Sequence, residues 1–275
     1  MIANWWIAIV LAYKLRGYRP QPVTVARVRE WFGQFPRGQH AALRQVLRAV
    51  RYVDERRMVS ELHELNERLL RKLDRAGVPA NHVIYVSFDD AGSSSGAILN
   101  LLRDSSRLEA RKCRLIDAKD TGGLHRVTSE LENGAIVYVD DFIGTGNQFC
   151  KTREFAAQFI VGNFSEFLLA HTICEEGISE LSRRNSVEPV PCNVHGRSER
   201  PLHELGSILS EGNKEALRRY CLALHKKFGL GYRMMATMVV YYRNAPNTVP
   251  LMIRGSLGQA VCRGILPRTT DLDAA

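Results

Sequence analysis

The sequence lacks the features that announce several common protein classes. It has six cysteines in 275 residues (Cys113, Cys150, Cys174, Cys192, Cys221 and Cys262), and no two form a CxxC pair. No Cys/His cluster has zinc-ligand spacing, so no structural metal is indicated and the thiols read as reduced groups in a cytoplasmic protein. Internal repeats and low-complexity tracts are missing, which excludes a solenoid or a mainly disordered chain. No apolar run approaches the roughly 20 residues needed to span a bilayer. The N-terminal run Trp5 to Tyr13 (WWIAIVLAY) is short and is followed by Lys14 and Arg16. It has neither the basic segment before it nor the small-residue cleavage site after it that a secretory signal needs. It reads as a buried strand or helix, or an extension from an upstream start codon, in preference to membrane contact. No Ser–His–Asp arrangement is visible. His171 falls on an apolar stretch as a core histidine, and His125 and His203 fall on helical stretches.

What remains is ordinary globular material, 45% hydrophobic and 24% charged. The length fits one large domain, or a core domain with additions. The charge is skewed, with a formal net charge of +9 and a pI near 9.4. That balance favours anionic partners: nucleotides, phosphates or nucleic acid.

Residues 23–76 are patterned as helices. Val25, Val28, Trp31, Phe32 and Phe35 recur at spacings of three and four, and Leu43, Val46, Leu47 and Val50 continue the period. Leu62, Leu65, Leu69, Leu70 and Leu73 make a third stripe, so each segment offers one apolar face. Pro36 and Gly38 separate the first two helices, and Gly77 and Pro79 stop the layer. The period then changes. His82 to Phe88 (HVIYVSF), Cys113 to Ile116, Ala135 to Val139 and Phe167 to Cys174 read as strands. Helices are expected through Ala97 to Leu102, Leu124 to Leu131 and Gln148 to Phe159. This alternation predicts an α/β fold with a mainly parallel sheet covered on both faces, behind an N-terminal helical layer. Further on, Leu202 to Leu209 and Glu211 to Phe228 read as helices, and Met235 to Tyr242 as another strand of the same sheet. The expected division is an apolar extension (1–22), one domain (23–268, helical layer 23–78 and core 80–268) and a tail (269–275).

Chemistry concentrates in Ile136 to Phe149, IVYVDDFIGTGNQF. An apolar strand ends in two carboxylates, and a GTGN turn then opens a helix. Ligands of open α/β sheets bind beyond the carboxyl ends of the strands. Glycines let backbone N–H groups close around an anion, and the helix N-terminus adds positive partial charge. A monophosphate fits Gly144, Thr145, Gly146 and Asn147, and Asp140 and Asp141 can accept from two neighbouring ribose hydroxyls. The segment Asp89 to Gly96 (DDAGSSSG) also lies between a strand and a helix. Its small residues permit close backbone approach, with Ser93, Ser94 and Ser95 as hydroxyl donors; the alternative is a serine-rich loop with a helix N-cap. After the second strand, Lys119 is a candidate phosphate contact beside Thr121 to Gly123 (TGG), which is either a lid or a plain surface loop. NAPNTVP, Asn244 to Pro250, reads as a rigid turn, with Asn247 as an alternative base contact.

The strand, paired acids and Thr/Gly-rich turn resemble the signature of type I phosphoribosyltransferases, with Asp140 and Asp141 matching the family acids. Gly144 stands where Thr is usual, and Asn147 and Gln148 stand where Gly and Thr are usual. A narrower resemblance rests on WFGQF (Trp31 to Phe35), GSSSG (Gly92 to Gly96), VDDFIGTGNQF and NAPNTVP in this order. These are similar to the phosphoribosyltransferase-like family of bacterial conflict and anti-phage defence systems, over residues 25 to 255. The resemblance implies a phosphoribosyltransferase-like fold and a role as an effector or nucleotide-processing component beside other defence proteins. It also implies a phosphoribosyl nucleotide or phosphoribosyl pyrophosphate as ligand, a pyrophosphate loop at Asp89, Asp90, Gly92, Ser93, Ser94 and Ser95, and Mg²⁺ held by Asp89 and Asp90 through water. Transfer and hydrolysis at C1′ both stay open. So do a non-catalytic nucleotide-binding regulator and a nucleic-acid-associated component, because fold alone does not set function.

Overall fold

In the computed structural model, which describes residues 2–88, 94–184, 187–255 and 262–268, the helical periodicities are realised in order. They form α1 (Ile2–Lys14), α2 (Val25–Gly33), α3 (His40–Ala49), the short strand β1 (Arg51–Val53) and α4 (Glu55–Arg75). Then come β2 (Val83–Ser87), α5 (Ser94–Ser105), β3 (Arg114–Asp117), α6 (Thr121–Leu131), β4 (Asn133–Ile143) and α7 (Asn147–Ala156). The chain continues through β5 (Asn163–Cys174), α8 (Glu175–Arg184), β6 (Glu188–His195), α9 (Glu211–Leu224), β7 (Val239–Tyr241) and α10 (Leu251–Arg254). The α/β class and its parallel sheet are as expected. Residues 269–275, the expected tail, lie outside the described residues.

Two compact units are present: Met1–Glu55 with Gly196–Ala275, and Arg56–His195. In the first, β1 and β7 pair in parallel, Arg51 to Val239 and Val53 to Tyr241. The Trp31 indole N–H donates to the Met252 carbonyl at 2.6 Å, tying α2 to the C-terminal segment. The N-terminal apolar run is a helix with one buried side: Ala8 and Leu11 are covered, while Trp5, Trp6, Val10 and Tyr13 are exposed. Among the described residues no helix is long and apolar enough to cross a membrane. Two expectations fail here. Met235 to Tyr242 does not extend the main sheet, because positive φ at Met234 and Ala236 shortens the strand, which pairs with β1. Leu202 to Leu209 forms turns, with Pro201 before it and Gly206 hydrogen-bonded back to His203.

The second unit carries a five-stranded sheet of order β3-β2-β4-β5-β6, parallel at every pairing. Its central strand β4 is buried on both faces, from Ala135 to Val139, as β-branched and aromatic residues in a covered parallel sheet should be. On one face α6, α7 and α8 pack through Leu124, Phe149, Cys150 and Leu181 onto Ile84, Val86, Ile136, Tyr138 and Leu168. On the other face lies α4. Asn66 accepts from the Tyr85 hydroxyl at 2.6 Å, and the stripe Met58, Leu62, Leu65, Leu69 and Leu73 is buried, each side chain contributing about 1.5–3 kcal/mol. The outer side of α4 displays Arg68, Arg71, Lys72 and Arg75 around a hollow, one place where the positive charge collects. The edge strand β6 was not expected from sequence, because Pro189 and Pro191 interrupt its pattern. An edge strand tolerates them, since one row of its N–H groups needs no ladder partner.

The chain winds outward from β2 to β3, returns past β2 to β4, and then proceeds to β5 and β6. The winding direction reverses between β2 and β4. Such a reversal opens a crevice at the carboxyl ends of the two strands.

Candidate functional site

At that reversal two separate chain segments meet. The Ser94 hydroxyl, in the first turn of α5, donates to Asp140 Oδ1 at 3.1 Å. Its neighbour Ser95 donates to the Val139 carbonyl at 2.7 Å and accepts from the Phe88 amide at 3.0 Å. Ser95 is 0% exposed, so its one donor fastens the ends of β2 and β4 together and does not face a ligand. Asp89, Asp90, Gly92 and Ser93, the rest of the expected loop, lie outside the described residues.

Asp140 is 6% exposed and its Oδ1 also accepts from the Asp141 amide at 2.8 Å. Asp141 is half-buried. Beyond Ile143 the chain makes a turn through Gly144, Thr145 and Gly146 and enters α7 at Asn147. Gly146 caps the helix at φ +75°, a left-handed conformation that costs an L residue roughly 1–2 kcal/mol. The first intrahelical bond runs from the Cys150 amide to the Gly146 carbonyl at 2.9 Å. Amides of the turn before that bond have no acceptor within the helix, so their positive ends face the loop. Thr145 Oγ1 lies 3.5 Å from the Asn147 amide, at the limit of a hydrogen bond.

Two features hold this turn in place. Phe149 packs edge-on against Phe88 and Tyr138, with ring centroids at 5.4 and 5.3 Å, and so pins α7 to the sheet. Gly177, in the first turn of α8, lies directly against the loop, where a Cβ would meet the Gly144 carbonyl at 2.8 Å. Gly177 was missed from sequence. Its signal was a lone glycine inside an otherwise helical stretch, which often marks a close approach.

The remaining candidates divide. Lys119 follows β3, is exposed, and lines a cavity with Phe88, Ala118, Gln148, Lys151, Thr152 and Phe155. Thr121, Gly122 and Gly123 are neither lid nor surface loop; they form the first turn of α6, capped by Asp120, which accepts from the Gly123 amide at 2.9 Å. Asn247 belongs to the other unit. Its side chain is exposed in a proline-bounded turn closed by the Val249 amide on the Pro246 carbonyl at 3.1 Å.

His171 on β5 is fully buried. Its Nε2 meets Glu61 Oε2 of α4 at 2.7 Å, and its Nδ1 meets Thr172 Oγ1 at 2.9 Å, so it is a satisfied core histidine. Burial alone would raise the Glu61 pKa, but hydrogen bonds from Arg57 and His171, with their charge, hold it below the ordinary carboxylate value. No group of three or more His, Cys, Asp or Glu among the described residues is placed to hold a metal.

A central parallel sheet, paired acids at the tip of β4 and a glycine turn into α7 make this an α/β unit with a phosphoribosyltransferase-like fold. The chain belongs to the PRTase-CE family, whose model matches residues 28–258. Solved structures with a similar fold include the HGPRT-ase of Leishmania tarentolae in complex with GMP. That likeness has 13% identity over 52% of this chain and 79% of that one, with a TM-score of 0.34. The orotate phosphoribosyltransferase of Aeropyrum pernix gives 18%, 52%, 78% and 0.34 in the same terms. The hypoxanthine-guanine phosphoribosyltransferase of Schistosoma mansoni in complex with IMP gives 14%, 50%, 65% and 0.33. No curated protein matches the sequence.

Proposed function

We propose that the chain binds a phosphoribosyl-containing nucleotide at the β2/β4 reversal and acts at its C1′ glycosidic position, as an effector in a bacterial anti-phage defence system alongside other defence proteins. The observation that carries this reading is the Ser94–Asp140 contact beside the Gly144–Gly146 turn. It joins the two segments whose chemistry suits opposite ends of a phosphoribosyl group.

In this reading the Gly144 to Asn147 turn and the first turn of α7 hold the 5′-phosphate through backbone amides. Asp140 and Asp141 accept from the ribose hydroxyls, with Asp140 positioned by Ser94. Breaking the bond at C1′ develops positive charge on the sugar, which two nearby carboxylates favour. Asp89, Asp90 and Ser93 would supply the groups that meet the leaving group. Their oxygen-only donor set suits Mg²⁺, which prefers a few carboxylates plus substrate phosphates. Asp89 and Asp90 would hold that ion through water, and its charge would offset that of the leaving group. Most of the rate would come from positioning and fixed electrostatics.

The test incubates the purified protein with phosphoribosyl pyrophosphate, NAD and a panel of nucleotides, with and without Mg²⁺. An Asp140→Asn, Asp141→Asn double variant runs in parallel. Consumption by the wild type alone supports glycosidic chemistry; no binding and no consumption, even with the natural partners present, overturns it. A second reading is a nucleotide-binding regulator without turnover. It is favoured by the internal hydrogen bonds that Asp140 already accepts, and tight binding without consumption selects it.

A further inference from the structure

The cavity beside the phosphate turn has a lining that a monophosphate does not use. Gln148, Lys151, Thr152 and Phe155 recur along α7 at i, i+3, i+4 and i+7, which places them on one helix face. Gln148, Lys151 and Phe155 are exposed, so this is the open side of a helix that packs through Phe149, Cys150 and Ala156. Across the cavity stand Lys119, Ala118 and Phe88, the residues at the tips of β3 and β2. The space is about 360 Å³, at the lower end of the range for small-molecule sites and larger than one phosphate needs.

Three observations describe what would fill it. Lys151 has no ion-pair or hydrogen-bond partner among the described residues, and it shares the cavity with a second ammonium group, that of Lys119. Side chains of a helix lean toward its N-terminus, so Lys151, about 4.5 Å further along the axis than Gln148, reaches back toward the turn. Phe155, 47% exposed, presents a ring at the outer end, a platform on which a base can stack.

We infer that this cavity receives the distal phosphate, and the group attached to it, of a nucleotide whose 5′-phosphate is part of a diphosphate. The inference rests on the preceding reading that the Gly144 to Asn147 turn holds the proximal 5′-phosphate. It deepens that reading by naming the substrate class: a diphosphate-linked nucleotide, with the distal phosphate between Lys119 and Lys151 and its aromatic group on Phe155.

The test compares ribose 5-phosphate with ADP-ribose, which carries the same phosphorylated sugar extended by a second phosphate and adenosine. Affinities are measured by calorimetry for the full-length wild type, Lys151→Ala and Phe155→Ala, with thermal melts confirming that each variant folds. Wild type is expected to bind ADP-ribose at least about tenfold more tightly, as a charge-assisted phosphate contact would give. Lys151→Ala should erase that preference while changing ribose 5-phosphate affinity by less than about twofold, and Phe155→Ala should reduce it by about threefold to tenfold. Ribose 5-phosphate binding with no gain for ADP-ribose overturns the inference and leaves the preceding reading standing. So does a Lys151→Ala variant that keeps the preference or weakens both ligands alike. Failure of both ligands to bind overturns the two together.

Discussion

β4 and β5 lie side by side, and each ends in adjacent polar residues. Asp140 pairs in register with Ala170 and Phe142 with Thr172, so Asp141 and His171 occupy the same level of the sheet. Their fates differ. β5 passes from Cys174 straight into α8 at Glu175, and His171 is sealed beneath α4 by Glu61. β4 ends at Ile143 and makes a glycine-rich turn before α7 starts at Asn147, which leaves Asp141 half-buried. A polar residue at the end of a strand thus stays accessible or becomes a core group according to the turn that follows it and the helix that covers it.

The sharpest way to break this comparison is to remove each polar group in turn. Asp141→Asn should leave the melting temperature within a few degrees of wild type while lowering nucleotide turnover by about 100-fold, since it touches the reacting sugar in our reading. His171→Ala should do the reverse, costing about 2–4 kcal/mol in denaturant unfolding by leaving Glu61 without its imidazole and opening a cavity. Similar stability losses for both variants would show that the two strand ends do not differ in kind.

A smaller effect tests the brace behind the turn. Gly177→Val places carbon against the Gly144 carbonyl and the Ile143 and Ile173 side chains. It should cost about 1–3 kcal/mol and weaken ribose 5-phosphate binding, because either the turn or α8 must shift. Gly146→Ala, at φ +75°, should cost about 1–2 kcal/mol. Unchanged phosphate affinity in Gly177→Val would mean that the turn is held by Phe149 alone.

The smallest effect is a pH dependence on the β5 side. The folded-state pKa of Glu61 lies below the ordinary 4.5, so its contribution is complete above that value and is lost as pH falls through the lower one. Wild type minus His171→Ala stability should therefore narrow as pH drops below 4.5, by less than about 1 kcal/mol for a partly exposed group. A gap that stays constant from pH 7 to pH 3 would contradict the pairing.

Local pattern by itself determined most of the elements and one half of the candidate site. The stripes of α2, α3 and α4 and the apolar runs of β2, β4 and β5 are repeats within a few residues, so they are legible without knowing what packs against them. The paired acids and the glycine turn are likewise contiguous. Only the tertiary structure decided what depends on distant chain. It put β1 with β7, accepted two prolines in β6 because that strand is an edge, and made TGG the start of α6. It turned Ser95 inward to join two strands, brought Ser94 to Asp140, and set Gly177 against the glycine turn. Periodicity records which face of an element is buried. Which neighbour covers that face, and which strand end is left open, follows from the order of the strands in the sheet and the helices that cross it.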